Sequence, residues 1–120
     1  MSSLPTTAGV IERYLRSLVE HDWALLEECL ADDFTRVGPY IDVYPSKTAY
    51  IAFISDLMPR LPNYEMDVTR VTYADRVAFA ELSETMDFEG GRRRTPECLT
   101  FDLDDDGRIT RVEVFIQRQG

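Results

Sequence analysis

Residues 76–103 read RVAFAELSETMDFEGGRRRTPECLTFDL, two stretches of alternating side-chain character on either side of Gly90-Gly91. Alternation with period two marks strands that bury one face, and paired glycines supply the positive backbone angles of a tight hairpin. Strands are therefore expected from Arg76 to Phe88 and from Arg93 to Leu103. Pairing Glu89 with Arg92 sets Ala80 by Phe101, Leu82 by Leu99 and Met86 by Thr95. The other face pairs Glu81 with Thr100, Ser83 with Cys98 and Asp87 with Arg94. One row is mostly apolar and the other polar, as a sheet covered on one side requires.

The apolar row contains two acids, because this register sets Glu84 directly opposite Glu97. Like charges in a partly dry site cannot both ionise cheaply, so one of the two is expected to keep its proton near neutral pH. A protonated carboxyl can donate a hydrogen bond. The alternative is structural: a slip or bulge turns one acid to solvent, or Arg93 or a tyrosine neutralises the pair.

The same alternation extends outward on both sides, over Tyr64 to Tyr73 and over Arg108 to Gln117, with Asp104 to Gly107 as the last turn. Pairing Leu103 with Arg108 places Leu99 by Val112, Glu97 by Val114 and Ile116 beside Thr95. Ahead of these strands the spacing is helical. Val10, Ile11, Tyr14, Leu15 and Leu18 form one stripe between Ala8 and Val19, and Trp23, Leu26, Cys29 and Leu30 form a second, capped by Asp22. Phe34 to Val37 and Ile41 to Tyr44 are short β-prone runs around Gly38-Pro39. Ser46 caps a third helix carrying Tyr50, Phe53, Ile54, Leu57 and Met58, which Pro59 and Pro62 end.

Helices first and an antiparallel meander afterwards indicate an α+β fold, with three helices closing the mouth of a curved antiparallel sheet around an apolar pocket. The side chains expected to line it are Tyr40, Tyr50, Phe53, Leu57, Met66, Leu82, Met86, Leu99, Val112, Val114 and Ile116. Tyr44 is a further candidate at the mouth. The chain of 120 residues suits one domain, expected to be ordered from about residue 6.

Composition narrows the function classes. With 44% apolar and 29% charged residues the chain reads as globular. Its net charge of -9 disfavours nucleic acid and anionic membranes, and Arg92 to Arg94 is too short a basic run to reverse that. Met1 to Gly9 lacks a basic stretch followed by an apolar one, so a cytoplasmic protein with Cys29 and Cys98 reduced is expected. His21, the sole histidine, lies between the first two helices, where a surface or capping role is expected. Asp102, Asp104, Asp106, Gly107 and Glu113 match a calcium-loop pattern, but such a loop needs flanking helices and here strands are expected, so no metal is assigned.

Arg13-Tyr14-Leu15, Ala31-Asp32-Asp33-Phe34, Ala49-Tyr50-Ile51-Ala52-Phe53, and Phe101-Asp102 through Asp106-Gly107-Arg108-Ile109 resemble, in order and spacing, the nuclear transport factor 2-like superfamily, particularly its ketosteroid isomerase and SnoaL-like cyclase branches. The resemblance covers nearly the whole chain and implies a cone-shaped fold. It also implies cofactor-free acid–base chemistry on a small, mostly apolar carbonyl compound. Matched residue by residue, Tyr14 and Glu97 fall where the isomerases hold the enolate oxygen. The isomerase base position is Gly38 here and the cyclase base position is closest to Gln117, so Glu84 is the expected base. A non-catalytic binding or dimerisation module with the same cone is the alternative. The resemblance further implies a homodimer through the outer sheet face, where Phe79, Ser83, Cys98, Thr100 and Phe115 are expected.

Overall fold

A computed structural model describes residues 9–117. Residues 6–8, including the expected start of the first helix at Ala8, lie outside the described residues. Helix α1 runs Val10–Glu20, α2 Trp23–Cys29 and α3 Lys47–Leu57, followed by a 3-10 turn at Met58–Arg60. The strands are β1 Leu30–Val37, β2 Val43–Tyr44, β3 Glu65–Ala74, β4 Val77–Phe88, β5 Gly91–Leu103 and β6 Ile109–Ile116. They form one sheet in the order β2-β1-β6-β5-β4-β3. The sheet is mixed rather than wholly antiparallel, because β1 runs parallel to β6.

Capping residues set the helix starts as expected. The Asp22 and Ser46 side chains accept from the backbone N–H groups of Leu25 and Ala49, satisfying donors that a helix leaves unpaired at its first turn. Helix α1 has no side-chain cap of its own. Instead the Tyr73 hydroxyl, on β3, accepts from Ile11 N–H at 3.0 Å and donates to the Glu12 carboxylate. Gly9 permits this approach, since a Cβ there would lie 2.0 Å from the Tyr73 hydroxyl oxygen. The link ties α1 to the sheet and so aims Tyr14 inward. His21 ends α1 in the left-handed region and stacks on Trp23.

Four expectations about boundaries and register are corrected. Strand β1 begins at Leu30, directly after α2, where the sequence had suggested Phe34. Ile41 is not in a strand: it adopts φ 66° and is exposed, leaving only Val43 and Tyr44 to pair with β1. The central hairpin turns on Glu89-Gly90, both with positive φ, and closes on Phe88 with Gly91. This moves the pairing by two residues, so that Leu82 lies by Glu97, Glu84 by Thr95 and Asp87 by Arg92. Charge holds that register, because Arg92 donates to the Asp87 carboxylate and to the Asn63 carbonyl while the Asn63 amide donates to Asp87.

In the last hairpin Leu103 pairs with Ile109 and a bulge follows, giving Leu99 by Val114, Phe101 by Val112 and Glu97 by Ile116. Both shifts preserve the faces, because a slip of two residues returns each side chain to the same side. Ser83 is buried rather than exposed on the outer face. The Asp104 carboxylate accepts from Asp106 and Arg108 N–H and shapes the turn, whereas Glu113 pairs beside Thr100. Among the described residues no group of three or more His, Cys, Asp or Glu is placed to hold a metal ion, and no helix is long and apolar enough to cross a membrane.

Candidate active site

The inner face of the curled sheet and the undersides of α1 and α3 enclose a cavity of about 210 Å³. Helix α2 contributes nothing to its lining. Sheet residues supply Met66 from β3, Leu82, Glu84 and Met86 from β4, Thr95, Glu97 and Leu99 from β5, and Val114 and Ile116 from β6. The helices close it with Tyr14, Leu18, Tyr50 and Ile54, together with Met58, and Pro39 and Tyr40 stand at the mouth.

Eight of the side chains expected as ligand contacts line this space: Tyr40, Tyr50, Met66, Leu82, Met86, Leu99, Val114 and Ile116. Three do not. Phe53 is half-buried and stacks on Tyr44 at 4.3 Å, and neither ring is part of the cavity lining. Leu57, on the same helix, packs against the core instead. Val112 is fully buried between Phe101 on β5 and Arg36 on β1 and is not part of the cavity lining.

The polar groups fall into two sets. Tyr14 and Tyr50 are each 1% exposed, and their hydroxyls are 2.6 Å apart. One O–H donates within that pair, which leaves the accepting tyrosine its own proton for an oxygen in the cavity. Burial raises the pKa of both phenols, so both stay neutral. Tyr14→Phe or Tyr50→Phe alone is expected to cost about 1–3 kcal/mol in urea unfolding, because each leaves a buried hydroxyl unpaired. The double variant is expected to cost less than the sum of the two.

The second set is Glu84 with Glu97. They are diagonal neighbours on the same face rather than directly opposed, and the longer reach of glutamate lets the two carboxyls share a hydrogen bond. Burial, and then the hydrogen bond and charge of Glu84, raise the pKa of Glu97 well above the carboxylate range. Glu97 is therefore the protonated member at neutral pH. The Tyr64 hydroxyl donates to the Glu84 carboxylate from the other side. Burial and that charge raise the Tyr64 pKa and keep it a donor. A tyrosine thus does satisfy one acid, but Arg93 does not, since its guanidinium lies over the Phe88 ring.

Among the lining residues outside those expected, the charged one is Arg36, which enters from β1. The signal was present: Arg36 stands two residues after the core residue Phe34 on a strand, and so shares its face. Neither family base position holds an acid near the pair. A side chain at Gly38 would meet the Asp42 carboxylate 2.3–2.5 Å away, and Gln117 is exposed beyond the end of β6.

The family model for the SnoaL-like domain matches residues 11–112. The chain belongs to the SnoaL-like domain family. No curated protein matches it. Among solved structures this SnoaL-like domain is similar to an LEH-like epoxide hydrolase of M. tuberculosis, at 18% identity and TM-score 0.77 over 90% of this chain and 80% of that one. It is also similar to an NTF2-like protein of unknown function from Cytophaga hutchinsonii, at 15% identity and TM-score 0.75 over 98% and 95% of the two chains. A protein of ketosteroid isomerase-like fold from Catenulispora acidiphila, solved with trimethylamine, matches at 13% identity and TM-score 0.78 over 92% and 86%. At these identities the likeness is one of fold.

Proposed function

We propose that this SnoaL-like domain is a cofactor-independent acid–base catalyst of the isomerase or cyclase type, acting on small, mostly apolar carbonyl compounds. One observation carries the reading: Glu84 and Glu97 stand as diagonal neighbours on the wall of a cavity that also receives the Tyr14–Tyr50 pair, where burial favours a proton on Glu97. In the proposed reaction the carbonyl oxygen accepts hydrogen bonds from Glu97 and from the tyrosine pair. Glu84 takes a proton from the adjacent carbon, and the C–H electron pair moves to form the enolate. Negative charge developing on the oxygen strengthens both hydrogen bonds in the transition state. Glu84 then returns the proton to carbon, leaving the protein unchanged.

Exchange of α-protons of 2-hexanone in D2O, followed by proton NMR, tests this directly. The protein is expected to accelerate exchange over buffer, and Glu97→Gln and Tyr14→Phe are each expected to slow it about tenfold or more. Unchanged exchange in both variants would remove the mechanism. A non-catalytic binding module is favoured by one feature, the Tyr64 hydroxyl that already occupies the Glu84 carboxylate. Binding of 2-hexanone without any exchange would support that second reading. A homodimer through the outer sheet face belongs to the same proposal, supported by Phe79 and Phe115, which are 37% and 50% exposed there.

A further inference from the structure

We propose that Arg36 is the binding site for the carboxylate of a small oxo-acid, whose ketone end occupies the acid–base site; the assignment of the ketone end rests on the function proposed above. Arg36 is paired with Val112 in the parallel β1–β6 ladder, which sets it on the inner face of the sheet. Its side chain is 13% exposed. The rings of Tyr44, Tyr50 and Phe53 surround the guanidinium, with centroids 5.8, 5.5 and 5.5 Å from its central carbon. Aromatic faces attract a cation but accept none of its in-plane N–H bonds.

Those N–H groups are poorly served by the protein. The one ion pair of Arg36 among the described residues is with Asp42, at 3.7 Å, beyond hydrogen-bond distance, on a carboxylate that is itself 36% exposed. The Nε is buried and has no hydrogen-bond partner among the described residues. A guanidinium carries five donors in a planar fork, and withdrawing that charge from water without acceptors is strongly unfavourable. A carboxylate delivered through the cavity would make two of those bonds in plane.

The rest of the cavity narrows the ligand. At about 210 Å³ it is smaller than the roughly 300–1,000 Å³ of pockets for drug-sized molecules. Apart from the polar sets its walls are aliphatic: Leu82, Leu99, Val114 and Ile116, with Met66 and Met86. The positive charge of Arg36 reaches Tyr14, Tyr50 and Glu97, lowering the pKa of each against the effect of burial, so the guanidinium and the carbonyl-binding groups share one electrostatic space. The Glu84 carboxylate repels an anion, and this directs the ligand's charged end toward Arg36 and its ketone toward Glu97. A carboxylate and a ketone joined by a few methylene groups fit that division.

The test compares 5-oxohexanoate with 2-hexanone, which differ by a carboxylate in place of a methyl group, in calorimetric titrations at pH 7. Wild-type protein is expected to bind 5-oxohexanoate about tenfold or more tighter. Arg36→Gln is expected to bring the ratio to one or below, and Arg36→Lys to leave an intermediate preference, since charge remains without the fork. Equal wild-type affinities, or a preference that survives Arg36→Gln, would overturn the assignment. If Arg36→Gln fails to fold, the side-chain Nε–H resonance of Arg36 in ¹⁵N-labelled wild type decides. It should shift with 5-oxohexanoate and not with 2-hexanone or inorganic phosphate; any other pattern overturns the assignment. The affinity ratio needs no turnover, so absence of α-proton exchange would defeat the acid–base mechanism while leaving carboxylate binding to be judged by its own result.

Discussion

Exchanging Glu84 for glutamine is expected to slow α-proton exchange of bound ketone by about 10²–10⁴-fold, the usual contribution of a positioned general base. Glutamine keeps the volume of glutamate, can still accept from the Tyr64 hydroxyl and can still bond to Glu97, so the cavity walls should hold. What it loses is the ability to take a proton. Binding of 2-hexanone is therefore expected to change by only a few-fold while the exchange rate collapses, a pattern that separates a base from a packing residue. Glu84→Asp retains the carboxylate but withdraws it by one methylene from both Tyr64 and Glu97, and an intermediate rate is expected. Wild-type exchange in Glu84→Gln would mean that the proton goes elsewhere.

The second large effect is on stability and its dependence on pH. Glu97 has a higher pKa in the folded protein than the ordinary value of 4.5, chiefly through burial and then through Glu84. Below pH 4.5 both the folded and the unfolded chain carry the proton and Glu97 adds no pH dependence. As pH rises above 4.5 the unfolded chain releases its proton while the folded chain retains it. The folded state then binds more protons, so stability falls with rising pH, by up to about 1.4 kcal/mol per pH unit. Glu97→Gln cannot titrate, and its amide can still donate to the Glu84 carboxylate.

Denaturant unfolding at a series of pH values should therefore give similar stabilities for the two proteins near pH 4.5, with the variant becoming the more stable by on the order of a few kcal/mol toward pH 8. Repulsion within a chain of net charge -9 adds its own pH dependence, but this is largely common to both proteins and cancels in the difference. Parallel stability curves would show that Glu97 titrates alike in the folded and unfolded chains, and the shared-proton pair would be lost with it.

Much of the fold was legible because each helix and strand obeys local rules. Asp22 and Ser46 announce helix starts through their own side chains, and the period of apolar residues changes from helical to alternating after Asn63. Tyr14, Glu84 and Glu97 were placed inward by strand parity, helical spacing and the resemblance, and all three line the cavity. Strand register was less legible. Turning on Gly90-Gly91 or on Glu89-Gly90 keeps every side chain on the same face, so alternation cannot choose between them; the Asp87–Arg92–Asn63 cluster, spanning β4, β5 and the segment before β3, does. Ile41 departs from its local preference for a tertiary reason: its β-branched side chain suggests a strand, while the Asp42 carboxylate folds the loop back on Gly38 and Tyr40.

By itself, then, the sequence determined the α+β order of elements, the covered and open faces of each strand, and the presence of two acids on the covered face. These follow from nearest-neighbour geometry, which a period of two or of 3.6 residues encodes directly. Tertiary structure alone decided that the acids meet diagonally rather than head-on, and that Tyr14 finds Tyr50 across two helices. It also brought Arg36, on β1, to the same cavity as the β4 and β5 acids. Those contacts join segments that no local period relates, through the curl of the sheet and a parallel β1–β6 pairing, and the chemistry of this site depends on them.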